Sequence, residues 1–161
     1  MIITFLRHAT AEDRSLGIPD PARALTEKGK NQVKRVASFC QNRLMIPQTL
    51  FCSPLERAKQ TAILLHDRLP KCPYPQVVSW LGIETSPYNI IAELSKLDDH
   101  HLEDVWLVGH EPDFSSTIGL LLHTSSDNIL IKKASLTQLD VDFTDDPTAT
   151  LLWSIPCSLL P

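Results

Sequence analysis

Three segments of this chain place arginine or histidine where a short apolar run ends. Arg7-His8 closes the run 2–6, Ser53-Pro54-Leu55-Glu56-Arg57 follows the run 49–52, and Gly109-His110 follows the run 105–108. Arginine presents a planar fork of donors that matches phosphate oxygens and stays charged at physiological pH. A neutral imidazole attacks phosphorus directly when a hydrogen bond on its other ring nitrogen fixes the tautomer. Phosphoryl chemistry asks mostly for positioning and for neutralisation of the equatorial oxygens. Two arginines with one extra histidine meet that demand without a metal. His8, at a strand end beside Arg7, is the expected nucleophile. His110, with a helix predicted just after it, is the expected donor to phosphate oxygens.

Those residues meet only if the apolar runs are parallel neighbours in one sheet. Ligands of open α/β sheets gather at the carboxyl ends of the strands, and there Arg7, His8, Arg57 and His110 would face one crevice. The intervening sequence supplies the helices. Thr26 reads as the cap of a helix whose inner face is Val33, Val36, Ala37, Cys40 and Leu44. Ser53-Pro54 predicts a capped helix start, with Ala58, Ala62, Leu65 and Leu69 facing inward. After Pro70, Pro73 and Pro75 a strand is expected over 77–80, and Ser86-Pro87 begins a helix carrying Ile90, Ile91, Leu94 and Leu97. A further helix is expected over 112–122, then a hairpin of 136–143 and 151–155 turning at Asp145-Asp146-Pro147. Strands alternating with helices predict an α/β sandwich with helices on both faces.

The 161 residues suit a single domain, 1–161, burying roughly 70% of the surface its unfolded chain exposes. A net charge of -4 argues against a nucleic-acid surface and leaves room for a local basic pocket. Cys40, Cys52, Cys72 and Cys157 form no CxxC pair and no zinc spacing, and Cys40 and Cys52 sit in apolar runs. A reducing, cytoplasmic setting is expected. The opening run stops at Arg7 and reads as a mature strand rather than a targeting segment. No stretch approaches the ~20 apolar residues of a membrane span, so no membrane partner is expected. No cofactor or metal is expected either.

Plainer readings compete at several positions. A lone arginine is usually a surface or capping charge, and it is the shared strand-end placement of Arg7 and Arg57 that points to function. Ser53 lacks a Gly-x-Ser-x-Gly elbow and reads as a cap. Cys52 would need an arginine at position 58 for cysteine-phosphatase spacing, and that residue is Ala58. His66, His100, His101 and His123 read as surface or helix-end residues. His100-His101 among Asp98, Asp99, Glu103 and Asp104 has the composition of a metal cluster, but adjacent side chains point apart, and a solvated loop is expected.

Four motifs in order resemble the histidine phosphatase superfamily, which includes the phosphoglycerate mutases. Phe5-Leu6-Arg7-His8-Ala9-Thr10-Ala11 is similar to its opening signature, with alanine at position 9 as in the SixA-type phosphohistidine phosphatase branch. Arg23-Ala24-Leu25-Thr26-Glu27-Lys28-Gly29 is similar to that branch's second element. The segment from Ser53 to Ala62 resembles the superfamily's serine-to-arginine helix start, and Val108-Gly109-His110-Glu111-Pro112 its second histidine element. The closing segment, Trp153 to Cys157, is also similar to the last strand of SixA-type proteins. The resemblance implies a phosphoglycerate mutase-like three-layer sandwich with a mixed, mostly parallel sheet. It implies a phosphorylated His8, a clamp of Arg7 and Arg57, a pocket completed by His110 and an additional contact from Arg23.

The sequence departs from the mutase pattern at the proton donor. The candidate is Glu84 in Leu81-Gly82-Ile83-Glu84-Thr85-Ser86-Pro87, which fits the family context poorly and reads as a solvated loop carboxylate. An alkoxide leaving group needs such an acid, whereas imidazole protonates near neutral pH and leaves readily. The expected substrate is therefore phosphohistidine on a signalling protein such as a histidine-phosphotransfer domain. The alternatives are a phosphomonoesterase of small phosphorylated substrates and, in another class, a non-catalytic phosphate-binding module.

Overall fold

The computed structural model describes residues 1–98, 102–144 and 146–161. The pair His100-His101, Asp99 beside it, and Asp145 of the expected hairpin turn lie outside the described residues. Six strands, β1 (Ile2–Arg7), β2 (Thr49–Cys52), β3 (Gln76–Val77), β4 (Asp104–Gly109), β5 (Leu136–Asp142) and β6 (Thr148–Ile155), form one sheet in the order β3-β2-β4-β1-β5-β6. β3, β2, β4 and β1 are mutually parallel, while β5 and β6 add an antiparallel hairpin at one edge. The fold is the mixed, mostly parallel α/β sandwich that the motifs imply.

Helices α1 (Glu27–Asn42), α2 (Glu56–Arg68), α3 (Pro87–Asp98) and α4 (Asp113–Leu121) cover the sheet. Leu6, Leu50, Cys52, Trp106 and Val108 pack with α1 and α2 on one face; Ile3, Phe5, Phe51, Val105 and Leu107 pack with α3 and α4 on the other. Successive residues of a strand point to opposite faces, so a central strand covered on both sides must be apolar throughout. This is why the runs ahead of the candidate residues are continuous rather than alternating. All four cysteines are free and buried. No helix among the described residues is long and apolar enough to cross a membrane.

Three local expectations are corrected. Ser53-Pro54 does not open a helix: α2 begins at Glu56, with Leu55 as an extended N-cap residue, because the Ser53 hydroxyl turns to His110 and the Leu55 amide. Leu44 is not on the inner face of α1; the helix ends at Asn42, and Leu44 sits at φ 56, 85% exposed. The strand expected over 77–80 is only Gln76–Val77, followed by a 3-10 turn at Ser79–Leu81, since β3 is a two-residue edge. His66 is a helix-end residue as expected, half-buried in the last turn of α2, and bonds the Cys72 carbonyl through Nδ1.

The register of the three central strands sets up the site. Arg7 pairs with Gly109 and Cys52 with Val108 as the last rungs of their ladders. Beyond them the His8 amide still donates to the Gly109 carbonyl (3.0 Å) and the Ser53 amide to the Val108 carbonyl (2.9 Å). His8, Ser53 and His110 therefore leave the sheet side by side at its carboxyl end.

Candidate active site

A cavity of about 450 Å³ opens at that end, lined by residues that include Arg7, His8, Arg23, Arg57, Glu84 and His110. The four residues expected from strand ends are thus brought together. Arg57 and His110 are each 2% exposed, His8 is 7% and Arg23 9% exposed. Burying guanidinium and imidazole groups to this degree requires partners, and among these four side chains every nitrogen but His110 Nδ1 has one.

His8 has its tautomer fixed from both sides. Arg57 Nε donates to His8 Nε2 (3.3 Å), so Nε2 carries the lone pair. Nδ1 therefore carries the proton and donates it to the Ala9 carbonyl (2.7 Å). Ala9 is held in turn, its amide donating to Thr61 Oγ1 (3.1 Å) while that hydroxyl donates to the Arg57 carbonyl (2.7 Å). Burial drives the His8 imidazole down to about 3 against the Ala9 hydrogen bond, and the charges of His110, Arg57 and Arg7 push the same way as burial. The ring is neutral, and its Nε2 electron pair accepts from Arg57 Nε at the cavity wall.

His110 lies beside it, the two ring centroids 5.1 Å apart. Its Nε2 is 2.7 Å from Ser53 Oγ, and its Nδ1 is buried without a protein partner. Burial first, then the nearby arginines against a raising influence of Asp20, lowers it to about 3. Gly109 permits this turn: a Cβ there would sit 2.6 Å from the Phe114 ring, which seals the other face of the strand.

The arginines are held by main chain and by one carboxylate. Arg7 Nη1 donates to the Ile131 carbonyl (2.7 Å), and the Ala134 amide donates back to the Arg7 carbonyl (3.0 Å). Arg57 Nη1 and Nη2 donate to the main-chain oxygen (2.8 Å) and carboxylate (3.1 Å) of Asp20. Arg23 sends Nε (3.0 Å) and Nη2 (2.7 Å) to Asp20 Oδ1, and Nη1 to the Glu12 carbonyl (2.7 Å). Gly29 packs α1 against the loop after His8, where a Cβ would collide with the Thr10 carbonyl. No cluster of three or more His, Cys, Asp or Glu side chains among the described residues is arranged to hold a metal ion.

A family profile described as the histidine phosphatase superfamily, branch 1, matches residues 3–78, which include Arg7, His8, Arg23 and Arg57. An uncharacterized protein of Picosynechococcus sp. is 35% identical over 113 residues, spanning 70% of this chain and 68% of that protein. The structure of the protein histidine phosphatase SixA complexed with tungstate superposes with a TM-score of 0.88 at 19% identity, covering 98% of each chain. The chain belongs to the histidine phosphatase superfamily. The alpha-ribazole phosphatase from Shigella flexneri shares the same fold, with a TM-score of 0.75 at 16% identity over 94% of each chain. The phosphatases of this superfamily support a hydrolase.

For a histidine phosphatase, the wall of the site holds more than the sequence motifs named. Glu84 is exposed, in a loop as expected, at φ 61, yet it lines the cavity. Lys133 and Glu111 line it too, and neither was singled out from the sequence. Burial raises Glu111 despite a Ser115 hydrogen bond. Asp20, which ties Arg57 to Arg23, is the most consequential omission; its one sequence signal is an acid three residues ahead of Arg23 in a proline-flanked turn.

Proposed function

We propose that this protein hydrolyses phosphohistidine on a partner protein through a covalent phospho-His8 intermediate, without a metal ion. The observation that carries the reading is the doubly fixed His8 ring, neutral and with Nε2 beside Arg57 Nε. In the first step the Nε2 lone pair forms a bond to phosphorus as the substrate's P–N bond breaks. The released pair stays on the leaving imidazole, which takes a proton from solvent and needs no strong acid. In the second step water attacks phosphorus, the bond to Nε2 breaks, and inorganic phosphate departs with the water's remaining proton shared to solvent. Arg7, Arg23 and Arg57 neutralise the equatorial oxygens. Ser53 Oγ accepts the Leu55 amide and can give its proton to His110 Nε2, which leaves the unpartnered Nδ1–H of His110 for a phosphoryl oxygen. The likeness to a SixA structure complexed with tungstate, a tetrahedral oxyanion, supports a phosphoryl-sized site.

A second reading, hydrolysis of small phosphomonoesters, is favoured by the position of Glu84 on the cavity wall, where a carboxyl can protonate an alkoxide. Rapid-quench labelling under non-acidic conditions decides both points. With phosphohistidine-bearing phosphotransfer domain as substrate, label should appear on wild type and vanish in His8→Asn. Wild type that binds phosphate yet takes no label would leave only a binding module. Fast turnover of an alkyl phosphate, lost in Glu84→Gln, would move the substrate to small phosphomonoesters.

A further inference from the structure

One carboxylate holds three arginines. Asp20 Oδ1 accepts from Arg23 Nε and Nη2 and lies 3.2 Å from Arg14 Nε, while Oδ2 accepts from Arg57 Nη2 at 3.1 Å. The Asp20 main-chain oxygen takes Arg57 Nη1 as well. Arg14, Arg23 and Arg57 all line the cavity, whereas Asp20 does not. The carboxylate therefore sits behind the guanidinium groups, away from the space a phosphoryl group would fill. With both Nη atoms of Arg57 engaged on that outer side, its Nε is left pointing at His8 Nε2.

From this arrangement we infer that Asp20 is a positioning residue, which aims Arg57 and Arg23 into the cavity and thereby sets oxyanion affinity and the alignment of His8. A planar guanidinium bonded on two nitrogens cannot rotate about its stem, so its remaining N–H direction is fixed. Asp20 also supplies negative charge against Arg57, which is otherwise buried with cationic neighbours. Burial of Asp20 would raise its carboxyl, but the hydrogen bonds and charges of Arg23 and Arg57 outweigh this and hold it below the ordinary carboxylate range. The segment is short and local: Asp20 opens a three-residue 3-10 turn, Asp20–Ala22, that ends at Arg23, so one turn carries both the anchor and one of its cations.

The inference rests on the phosphatase reading for its consequence, but its direct test does not need catalysis. Tungstate affinity measured by calorimetry on wild type, Asp20→Asn and Asp20→Glu isolates the pocket. Asp20→Asn keeps one acceptor and loses the charge; its tungstate Kd should rise about tenfold or more, the loss expected for charged hydrogen bonds. The thermal midpoint of Asp20→Asn should fall, because the buried Arg57 loses its charged partner, and Asp20→Glu should recover part of both the midpoint and the affinity. On substrate, kcat should fall more than KM rises, because a misaimed Arg57 is felt most in the transition state. Tighter tungstate binding in Asp20→Asn would overturn the inference and make the carboxylate a competitor of phosphate. Unchanged affinity in a folded variant would overturn it too, and if Asp20→Asn does not fold, unchanged affinity in Asp20→Glu would do the same. Absence of phospho-His8 in wild type would sink the nucleophile reading and leave the tungstate comparison standing.

Discussion

His8 is the residue on which pH dependence turns. An ordinary imidazole, with a pKa of about 6.5, is only ~3% neutral at pH 5 and would lose about twenty-five-fold in nucleophilic rate between pH 7 and pH 5. Burial takes His8 to about 3, so the deprotonated ring persists through that interval. The sign is opposite to that of a histidine stabilised by a carboxylate, whose proton would be retained to higher pH. Formation of phospho-His8, followed by rapid quench, is expected to change by no more than about twofold from pH 7 to pH 5 once substrate protonation is accounted for. A steep fall centred near 6.5 would mean that the ring is solvated and its tautomer free.

The loop after β1 and the first turns of α2 act as one unit. Thr61 sits fully buried in α2, bonding the Ala9 amide and the Arg57 carbonyl with a single hydroxyl. Thr61→Val preserves shape but strands the Ala9 N–H, a loss of about 1–3 kcal/mol. Since the Ala9 carbonyl holds His8 Nδ1, the same change should lower kcat, while Thr61→Ser keeps both bonds and should restore both stability and rate. Urea midpoints beside steady-state kinetics on the three proteins check this. A Thr61→Val enzyme with full kcat would show that Ala9 is held without the hydroxyl.

Across the whole molecule, two cores clasp one sheet, and the site exists only where three parallel strands end together. Trp106, in β4 at the centre of that sheet, is fully buried against the α1 and α2 layer and bonds Asp104 through its indole N–H (3.0 Å). Trp106→Ala should cost about 3–5 kcal/mol by cavity formation. For a chain of this size that is a fall of about 10 °C or more in Tm, readable by calorimetry. A shift of a degree or two would mean that the layers close over the gap.

The sequence determined where Arg7, His8 and His110 stand along the chain, because each lies at or one position past a strand end and a buried parallel strand announces itself as a short apolar run; Arg57 follows β2 by five positions, in the first turn of α2. It also determined α1 and its Thr26 cap, a contact made within three residues. What only the tertiary structure decided is how those residues are held. Asp20 reaches across 37 positions to Arg57, Ile131 across 124 to Arg7, and Ser53 across 57 to His110. It decided as well that Glu84 faces the cavity and that α2 starts at Glu56 rather than at Ser53. Local patterns record which backbone a segment prefers. Hydrogen bonds between distant segments exist only after the sheet has brought its strand ends to one edge, and no spacing within a segment encodes them.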